Sequence, residues 1–424
     1  MATRRLALTG VLLMMLFSIL PADNQSSAGL SDQQLLERAR ALHRKIITVD
    51  THCDTAMRFV RGNWNPAERH DPDSPGAGKI DLPRMKEGGL DVEFFAAFVS
   101  QEPRTPEGYQ AARQIADNLI SAVKEMVATN NQVIGLAFSP EDAKKFKKQG
   151  KLTAFLGIEN GYAIGQELSL IKHFYVEGVR YITLCHTSDN DICDSSTDRN
   201  DPEDRGLSQF GRQVVAECNR LGMIVDISHA SDRSFWDVLA SSQAPIIASH
   251  SCVRAVCDNP RNLTDDMIKA LAAKGGVIQI CFLSAYVKKP KPNPDRDQAF
   301  QEFRAKYGNW RDIKDEAQRE KIMAEMQELN RKYPVELATV QDLVDHIDHV
   351  VKLVGVDYVG VGTDFDGGGG VSGCNDVSQM INVTVELMKR GYSDEDLAKI
   401  WGQNFFRVFN QVNETARKLN ITQR

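Results

Sequence analysis

The sequence predicts an α/β fold, a (β/α)8 TIM barrel that carries a helical insertion after the seventh strand. Three observations predict it. Eight short apolar runs follow one another after residue 45. Most of them are near-continuous stretches of Val, Ile, Leu and Phe, as expected for parallel strands buried on both faces. Helical patterns lie between the runs, and a long series of comparable units favours a closed barrel over a doubly wound open sheet.

The predicted strands and helices alternate along the chain. In order, the strands cover Ile46–Asp54, Leu90–Ser100, Leu152–Asn160, Val179–His186, Gly222–His229, Ala244–Ser251, Gly275–Phe282 and Tyr358–Asp366. The helical patterns include Pro106–Thr129, Ser208–Leu221, Ser231–Ser241, Thr264–Lys274 and Val340–Val354. Several of these begin with Ser or Thr at an N-cap position, which indicates where the helix starts.

The segment 286–333 interrupts this alternation. It opens with a proline- and lysine-rich stretch and continues as a charged helical pattern. It is too short for an independent domain and is predicted to be an exposed helical insertion. Because it follows a strand, we expect it at the catalytic rim of the barrel. A role as a lid over the active site is left undecided.

Composition excludes several classes of protein. The chain has 424 residues, 42% of them hydrophobic, and a formal net charge of −6. These proportions exclude a disordered chain and a small disulfide scaffold. The excess of acidic over basic residues argues against a nucleic-acid partner. The eight cysteines form no CxxC pair, which disfavours a zinc ribbon, and no disulfide is predicted. About 150 residues per domain would suggest two or three domains, but one barrel accounts for the length.

The N-terminus has the pattern of a secretory signal peptide. A basic start is followed by an apolar run from Leu6 to Leu20 and by small residues up to Ala28. We therefore expect residues 1–28 to be removed and the protein to be exported, as a periplasmic or secreted enzyme; an uncleaved membrane anchor is the alternative. No later apolar run is long enough to span a bilayer. Residues 29–424 are then predicted to form a single catalytic barrel domain.

Histidines and acids cluster at the carboxyl ends of the predicted strands. Four of the nine histidines, at positions 52, 186, 229 and 250, end four different strands. Acidic residues end others, namely Asp54, Glu159, Asp364 and Asp366. The carboxyl ends of barrel strands meet on one face, where active sites are built. These residues are therefore predicted to share one site.

The site is predicted to bind metal. His52 and Asp54 lie two residues apart on one strand, so both side chains point to the same side. Imidazole nitrogen and carboxylate oxygen suit zinc, and Glu159, His229 and His250 supply further ligands of this kind. Five residues could share two zinc ions, with Glu159 bridging them and a hydroxide held between the ions.

Nine short motifs give the chain a family resemblance. They are Thr48–Asp54, Gly157–Gly161, Leu184–Thr187, Gly206–Gly211, Asn219–His229, Ser249–Ser251, Arg261–Asn262, Gly362–Gly367 and Gly402–Asn404. In this order, over about residues 35–410, the chain resembles the membrane dipeptidase (renal dipeptidase) family. The resemblance implies a zinc-dependent hydrolase on an amidohydrolase-type barrel. It assigns His52 and Asp54 to one zinc ion and His229 and His250 to the other, with Glu159 as the bridge.

The resemblance also implies roles for residues around the metals. Asp364 matches the catalytic acid/base, His186 matches a substrate-contacting histidine, and Arg261 matches the arginine that binds the substrate carboxylate. Tyr286, just past the seventh strand, is predicted to assist Arg261. The implied substrate is a dipeptide with a free C-terminal carboxylate, attacked by a hydroxide that bridges two zinc ions. The oligomeric state is left undecided, with a homodimer as one alternative.

Two other functions stay open at this point. The first is another binuclear-metal amidohydrolase that opens lactones, cyclic amides or β-lactams. Many of those enzymes bridge their metals through a carboxylated lysine, whereas Glu159 ends the third predicted strand here. The second is a non-catalytic exported binding protein, which the complete set of ligands disfavours.

Some residues of similar types are not expected to take part in chemistry. His43, His70 and His173 lie away from strand ends and are predicted to be surface residues. His346 and His349 lie in a helical pattern and are expected to be solvated or to pack against a helix. The run Gly367–Gly370 lacks the Lys and Ser/Thr of a nucleotide-binding loop and is predicted to be a flexible rim near Asp364.

Overall fold

The structure, a computed structural model, describes residues 29–62, 64–74, 76–201, 203–308 and 315–422. The predicted signal peptide, residues 1–28, lies outside these ranges. Within them, no helix combines the length and apolar character that crossing a membrane would require.

Nine parallel strands form the sheet. They are β1 (Val49–Cys53), β2 (Val92–Phe98), β3 (Ile134–Leu136), β4 (Leu152–Glu159), β5 (Val179–Thr183), β6 (Ile224–Asp226), β7 (Ile247–Ser251), β8 (Val277–Ile280) and β9 (Val359–Val361). Eight of them are the strands expected from the sequence, and they pair in the order β1-β2-β4-β5-β6-β7-β8-β9. The sequence interpretation missed β3, a three-residue strand that pairs with β4 outside this path.

The two ends of this path meet, which closes the barrel. Cys53, at the end of β1, forms a parallel bridge with Phe365, just after β9. The Asp364 amide donates to the His52 carbonyl over 3.0 Å. The buried Asp50 carboxylate reinforces the seam, since it accepts from the Thr363 amide at 2.8 Å and from the Thr363 hydroxyl at 2.5 Å. The predicted (β/α)8 barrel is therefore confirmed.

Sixteen α-helices accompany the strands in the described residues. They are α1 (Asp32–Lys45), α2 (Ala56–Phe59), α3 (Leu82–Gly88), α4 (Pro106–Thr129), α5 (Pro140–Lys148), α6 (Ser169–Glu177), α7 (Gln209–Leu221), α8 (Asp232–Ser241), α9 (Asp265–Ala273), α10 (Ser284–Val287), α11 (Pro294–Tyr307), α12 (Glu316–Lys332), α13 (Val340–Val354), α14 (Ile381–Lys389), α15 (Asp394–Ala398) and α16 (Asn404–Thr422). Ser208, Ser231 and Thr264 cap α7, α8 and α9 with their side chains, as the sequence indicates.

Helix α16 closes the amino-terminal end of the barrel. Its Phe405 ring lies edge-on to Phe94 of β2, with centroids 5.1 Å apart, and Phe409 packs on Phe155 of β4 at 5.8 Å. Phe94 and Phe155 stack on each other at 4.6 Å. This end is filled with aromatic rings, so the polar chemistry of the barrel lies at the opposite, carboxyl end.

Two helices of the predicted insertion, α11 and α12, pack on each other. Arg296 of α11 donates to the Asn330 side chain at 2.8 Å, and Lys306 pairs with Glu325 at 2.8 Å. Phe303 and Ile322 are buried. Since the segment follows β8, it leaves the barrel on the carboxyl side of the strands, where the sequence places it.

The expectation for His43 is wrong, because this histidine is buried rather than exposed. It lies on the inward face of α1, where its Nε2 is 2.6 Å from the Thr384 hydroxyl and its Nδ1 is 3.1 Å from the Gly89 carbonyl. Burial lowers the pKa of His43 to about 4. His346 packs between elements, as expected for a helix-packing residue: it is fully buried and contacts the Val287 carbonyl at 2.8 Å.

Replacing Phe405 with Ala should destabilise the protein by about 3–5 kcal/mol, because it leaves a cavity where α16 meets the strands. Ile421→Ala is the matched control on the same helix: Ile421 is 72% exposed, so its loss should change the free energy of unfolding by no more than about 0.5 kcal/mol. Urea denaturation measures both. Equal effects of the two substitutions would contradict the assignment of α16 as the closure of the barrel.

Candidate metal centre

Five strands or strand ends bring imidazoles and carboxylates together at the carboxyl face. His52 lies on β1, Glu159 ends β4 and His250 lies on β7. His229 follows β6 and has a positive φ of 71°, a backbone conformation that turns the chain sharply after the strand. Asp364 follows β9 and also has a positive φ, of 59°. These five predicted residues therefore meet in one place, whereas Asp366, which was also predicted to share the site, pairs with Arg58 at 2.8 Å and is not part of the group.

Glu159 lies at the middle of this group. Its Oε1 is 3.1 Å from His229 Nε2, 3.5 Å from His250 Nε2 and 3.7 Å from His186 Nε2. Its Oε2 is 3.5 Å from His52 Nε2. Each carboxylate oxygen thus faces a different set of imidazoles. A carboxylate in this position can contact two metal ions at once.

Asp54 and Asp364 flank His52 on the other side. Potential ligand atoms of His52, Asp54 and Asp364 all lie within 4.8 Å of one another. Gly367 makes this approach sterically possible, since a Cβ there would lie 2.0 Å from Asp54 Oδ2 and 2.2 Å from Asp364 Oδ1. The predicted flexible rim is instead a tight turn, in which the Gly367, Gly368 and Gly369 amides all donate to the Asp364 carbonyl. The close packing of Asp54 and Asp364 against position 367, which the sequence does not reveal, explains why this residue is a glycine.

Several buried polar atoms of the group have no hydrogen-bond partner among the residues that the structure describes. They are His52 Nε2, Asp54 Oδ1 and His229 Nδ1. The opposite nitrogen of His52 is held by the Tyr181 hydroxyl at 2.8 Å, and His250 Nδ1 lies 2.8 Å from the Ser249 hydroxyl. Metal-binding histidines are usually oriented in this way by a partner on the second nitrogen. The unpartnered Nε2 of the supported His52 ring and the unpartnered Asp54 oxygen fit a metal centre.

The electrostatics of the group favour bound cations. Burial raises the pKa of Glu159 to about 8 and that of Asp364 to about 7, and it holds the pKa of Asp54 well above its usual range. Burial also lowers the pKa values of His229 and His250 well below the ordinary histidine value. The His229 and His250 imidazoles therefore carry no charge that could balance the carboxylates. Divalent ions would supply the missing positive charge, so the residues present fit the implied metals.

His186 lies at the open side of the group. Its side chain is 21% exposed, whereas those of the other histidines around Glu159 are nearly inaccessible. Its ring lies 4.2 Å from that of His229 and 4.7 Å from that of Phe98. Burial lowers the pKa of His186 to about 3, with Arg261 contributing. A neutral imidazole at the mouth of the centre can hydrogen-bond a ligand.

Arg261 is a buried cation beside the centre. It donates to the His250 carbonyl at 3.1 Å and contacts the Ser251 hydroxyl at 3.4 Å, while its Nε has no partner. The half-buried Tyr286 lies against its guanidinium, with Cζ 5.2 Å from the ring centroid. Among the described residues Arg261 forms no ion pair. A buried guanidinium without a carboxylate is unfavourable, and an anionic ligand would relieve that cost.

Two residues that support the histidines, Asp226 and Tyr181, were not predicted from the sequence. Asp226, at the end of β6, accepts from the Thr183 hydroxyl at 2.5 Å and from the Ser249 hydroxyl at 2.6 Å. It thereby fixes the serine next to His250. Tyr181 supports His52 in the same way. An acid inside the apolar run of β6 was the available signal for Asp226; nothing in the sequence marked Tyr181.

The chain matches a known protein family over almost its whole length. Residues 36–423 match the membrane dipeptidase family, peptidase family M19. The dipeptidase verJ of Clonostachys rogersoniana is 30% identical over 91% of this chain and 89% of its own length. The dipeptidase tcpJ of Claviceps purpurea is 30% identical over 87% of this chain and 77% of its own length. The crystal structure of the probable dipeptidase PvdM from Pseudomonas aeruginosa is 32% identical, with a TM-score of 0.77 over 91% of this chain and 100% of that one. The chain therefore belongs to the membrane dipeptidase family, peptidase family M19.

Proposed function

We propose that the protein is a zinc-dependent dipeptidase that hydrolyses dipeptides with a free C-terminal carboxylate. The observation that carries this proposal is the Glu159 carboxylate, whose two oxygens face four histidines at 3.1–3.7 Å. Relatives named as dipeptidases cover nearly the whole chain, which supports the same activity. The buried, unpaired Arg261 favours a substrate with a carboxylate over a neutral lactone.

Two zinc ions would be held by five residues of the barrel face. His52 and Asp54 would hold one ion, His229 and His250 the other, and Glu159 would contact both. Imidazole nitrogen and carboxylate oxygen are suitable zinc ligands, and the unpartnered atoms of this group support the assignment. When bound, the two ions would supply Lewis acidity and lower the pKa of a water molecule enough for it to act as the nucleophile.

Arg261 and His186 would position the dipeptide. The guanidinium of Arg261 would donate two parallel hydrogen bonds to the C-terminal carboxylate, a geometry that suits arginine. Tyr286 packs on this guanidinium and would hold it in place. The neutral His186 would donate to the oxygen of the scissile carbonyl, where negative charge develops. The site for the C-terminal carboxylate lies next to the metal ligand His250. Only very short peptides would therefore fit between Arg261 and the metal ions.

Asp364 would move the proton. Its carboxylate would accept the proton that the attacking water loses and donate it to the nitrogen of the leaving amine. One group can serve as base and then as acid in this way. The tight turn at Gly367 holds Asp364 beside Asp54, and this geometry supports the role.

Export and domain organisation complete the proposal. The basic start, apolar run and small residues of positions 1–28 support a signal peptide that directs the enzyme out of the cytoplasm. Residues 29–424 would then act as one catalytic domain, with segment 286–333 at its rim.

Glu159→Gln should lower kcat/KM by more than about a hundredfold and reduce zinc content, because it removes a ligand charge at the middle of the centre. Glu93→Gln is the matched control, because Glu93 is a buried acid on the neighbouring β2 that lies outside the metal-binding group. Dipeptide hydrolysis and elemental analysis measure both effects. A fully active, fully loaded Glu159→Gln protein would exclude the bridging role.

Arg261→Ala should lower kcat/KM by about 30-fold or more for dipeptides with a free C-terminus, since removing one partner of a buried charge pair costs about 2–5 kcal/mol. The wild type should already act poorly on C-terminally amidated dipeptides, and the substitution should change that residual rate little. Paired kinetics on free and amidated substrates test this. An equal loss on both substrates would show that Arg261 does not bind the carboxylate.

Asp364→Asn should retain zinc yet lose about 10²–10⁴-fold in kcat, because general acid–base catalysis contributes that much. Metal analysis and steady-state kinetics on the same sample check the two parts. Loss of zinc together with activity would instead make Asp364 a metal ligand, and an unchanged kcat would remove it from the mechanism.

A further inference from the structure

A second acidic cavity lies outside the metal centre. It is formed mainly by the loop between β5 and α7, together with the start of α8, and it encloses about 280 Å³. Seven carboxylate side chains and one arginine line it, and no histidine or cysteine does. Its chemistry is therefore that of oxygen ligands only, unlike the mixed nitrogen and oxygen set of the barrel centre.

Arginines neutralise only part of the negative charge around this cavity, where Arg205 pairs with Asp201 and Glu203. The one lining arginine, Arg254, is already held by two hydrogen bonds from its guanidinium to Asp232, at 2.6 and 2.7 Å. Four other lining carboxylates form no ion pair with any lysine or arginine among the described residues: Asp189, Asp194, Asp198 and Asp204. Several carboxylates around one small cavity repel one another unless a cation joins them.

Asp189 is the strongest indication of a ligand. Only 5% of this residue is exposed. Its Oδ1 accepts from the Ser195 amide at 2.7 Å, but its buried Oδ2 finds no hydrogen-bond partner in the described part of the chain. Burial and the neighbouring carboxylates raise the pKa of Asp189 to about 6. The Ser196 hydroxyl, which also lines the cavity, is likewise buried and unpartnered. Such atoms are rare in folded proteins unless water or an ion contacts them.

We propose that this cavity binds one Ca²⁺ ion, with Asp189 and Asp198 as its principal ligands. Calcium takes six to eight oxygen ligands at about 2.3–2.6 Å in flexible geometry, so opposite ligands lie about 5 Å apart. The lining carboxylates and the Ser196 hydroxyl supply oxygen ligands of this kind. Mg²⁺ demands a smaller, near-octahedral set of ligands, and zinc prefers nitrogen or sulfur among its ligands.

The ion would stabilise the loop that carries His186. The Ser195 hydroxyl donates to the His186 carbonyl at 2.5 Å, and the Asp189 amide donates to Asp198 Oδ2 at 2.9 Å. Asp189 and Ser195 therefore connect the acidic cavity directly to the backbone of His186. This calcium site goes beyond the proposed hydrolysis and does not depend on it.

Equilibrium dialysis of the zinc-loaded full chain against radioactive CaCl2 tests the proposal. We expect one Ca²⁺ per wild-type chain, with a Kd on the order of 10⁻⁴–10⁻³ M. Asp189→Asn should weaken binding by at least about tenfold, because ligand charge sets calcium affinity. The matched control is Asp191→Asn, which removes one charge from the same loop but does not line the cavity; Asp191 accepts from the Tyr109 hydroxyl at 2.7 Å and from Gln166 at 3.0 Å.

Thermal unfolding provides the second measurement. CaCl2 should raise the Tm of the wild type and of Asp191→Asn, but not that of Asp189→Asn. If Asp189→Asn does not fold, Asp198→Asn, at a half-buried position, takes its place. Wild-type protein that binds no calcium at 5 mM, calcium binding unchanged in both cavity variants, or equal binding of MgCl2 would each overturn the proposal.

Discussion

A buried carboxylate surrounded by imidazoles is the interaction on which the rest of this structure depends. Glu159 ends a fully buried strand, and its two oxygens face histidines from β1, β7 and the loops after β5 and β6. Without cations, burial would force protons onto the acids of this group, as their raised pKa values indicate. The cost of isolating such charges from water is large, so the arrangement is stable in its ionised form only when metal ions complete it.

The remainder of the barrel holds that arrangement in place. Aromatic rings of α16 fill the amino-terminal end, which leaves the carboxyl end for polar chemistry. At the seam between β1 and β9, Asp50 binds Thr363 and so fixes the spacing between His52 and Asp364. Gly367 lets the two flanking acids approach each other. Each of these contacts joins segments far apart in sequence, and together they turn separate strand ends into one site.

The sequence allowed us to predict which residues lie at the ends of strands, but not which side chains contact one another between strands. His52, Glu159 and His250 were identified because each ends an apolar run, and a barrel brings such ends together. Asp226 supports His250 through a contact with the neighbouring strand β7, and Tyr181 of β5 reaches His52 of the non-adjacent strand β1. No local sequence pattern encodes either contact. His43 was misjudged for the same reason, since the inward face of α1 is defined by its packing against α14. The three residues of β3 were too few to produce a recognisable strand pattern.

The central claim is that two zinc ions share Glu159. Diffraction from crystals of the wild-type protein, recorded at the zinc absorption edge, tests it most directly. Two anomalous peaks are expected about 3.5–4 Å apart, one beside His52 and Asp54 and the other beside His229 and His250, with Glu159 between them. A single peak, or two peaks that do not both contact Glu159, in crystals of active enzyme would contradict the account.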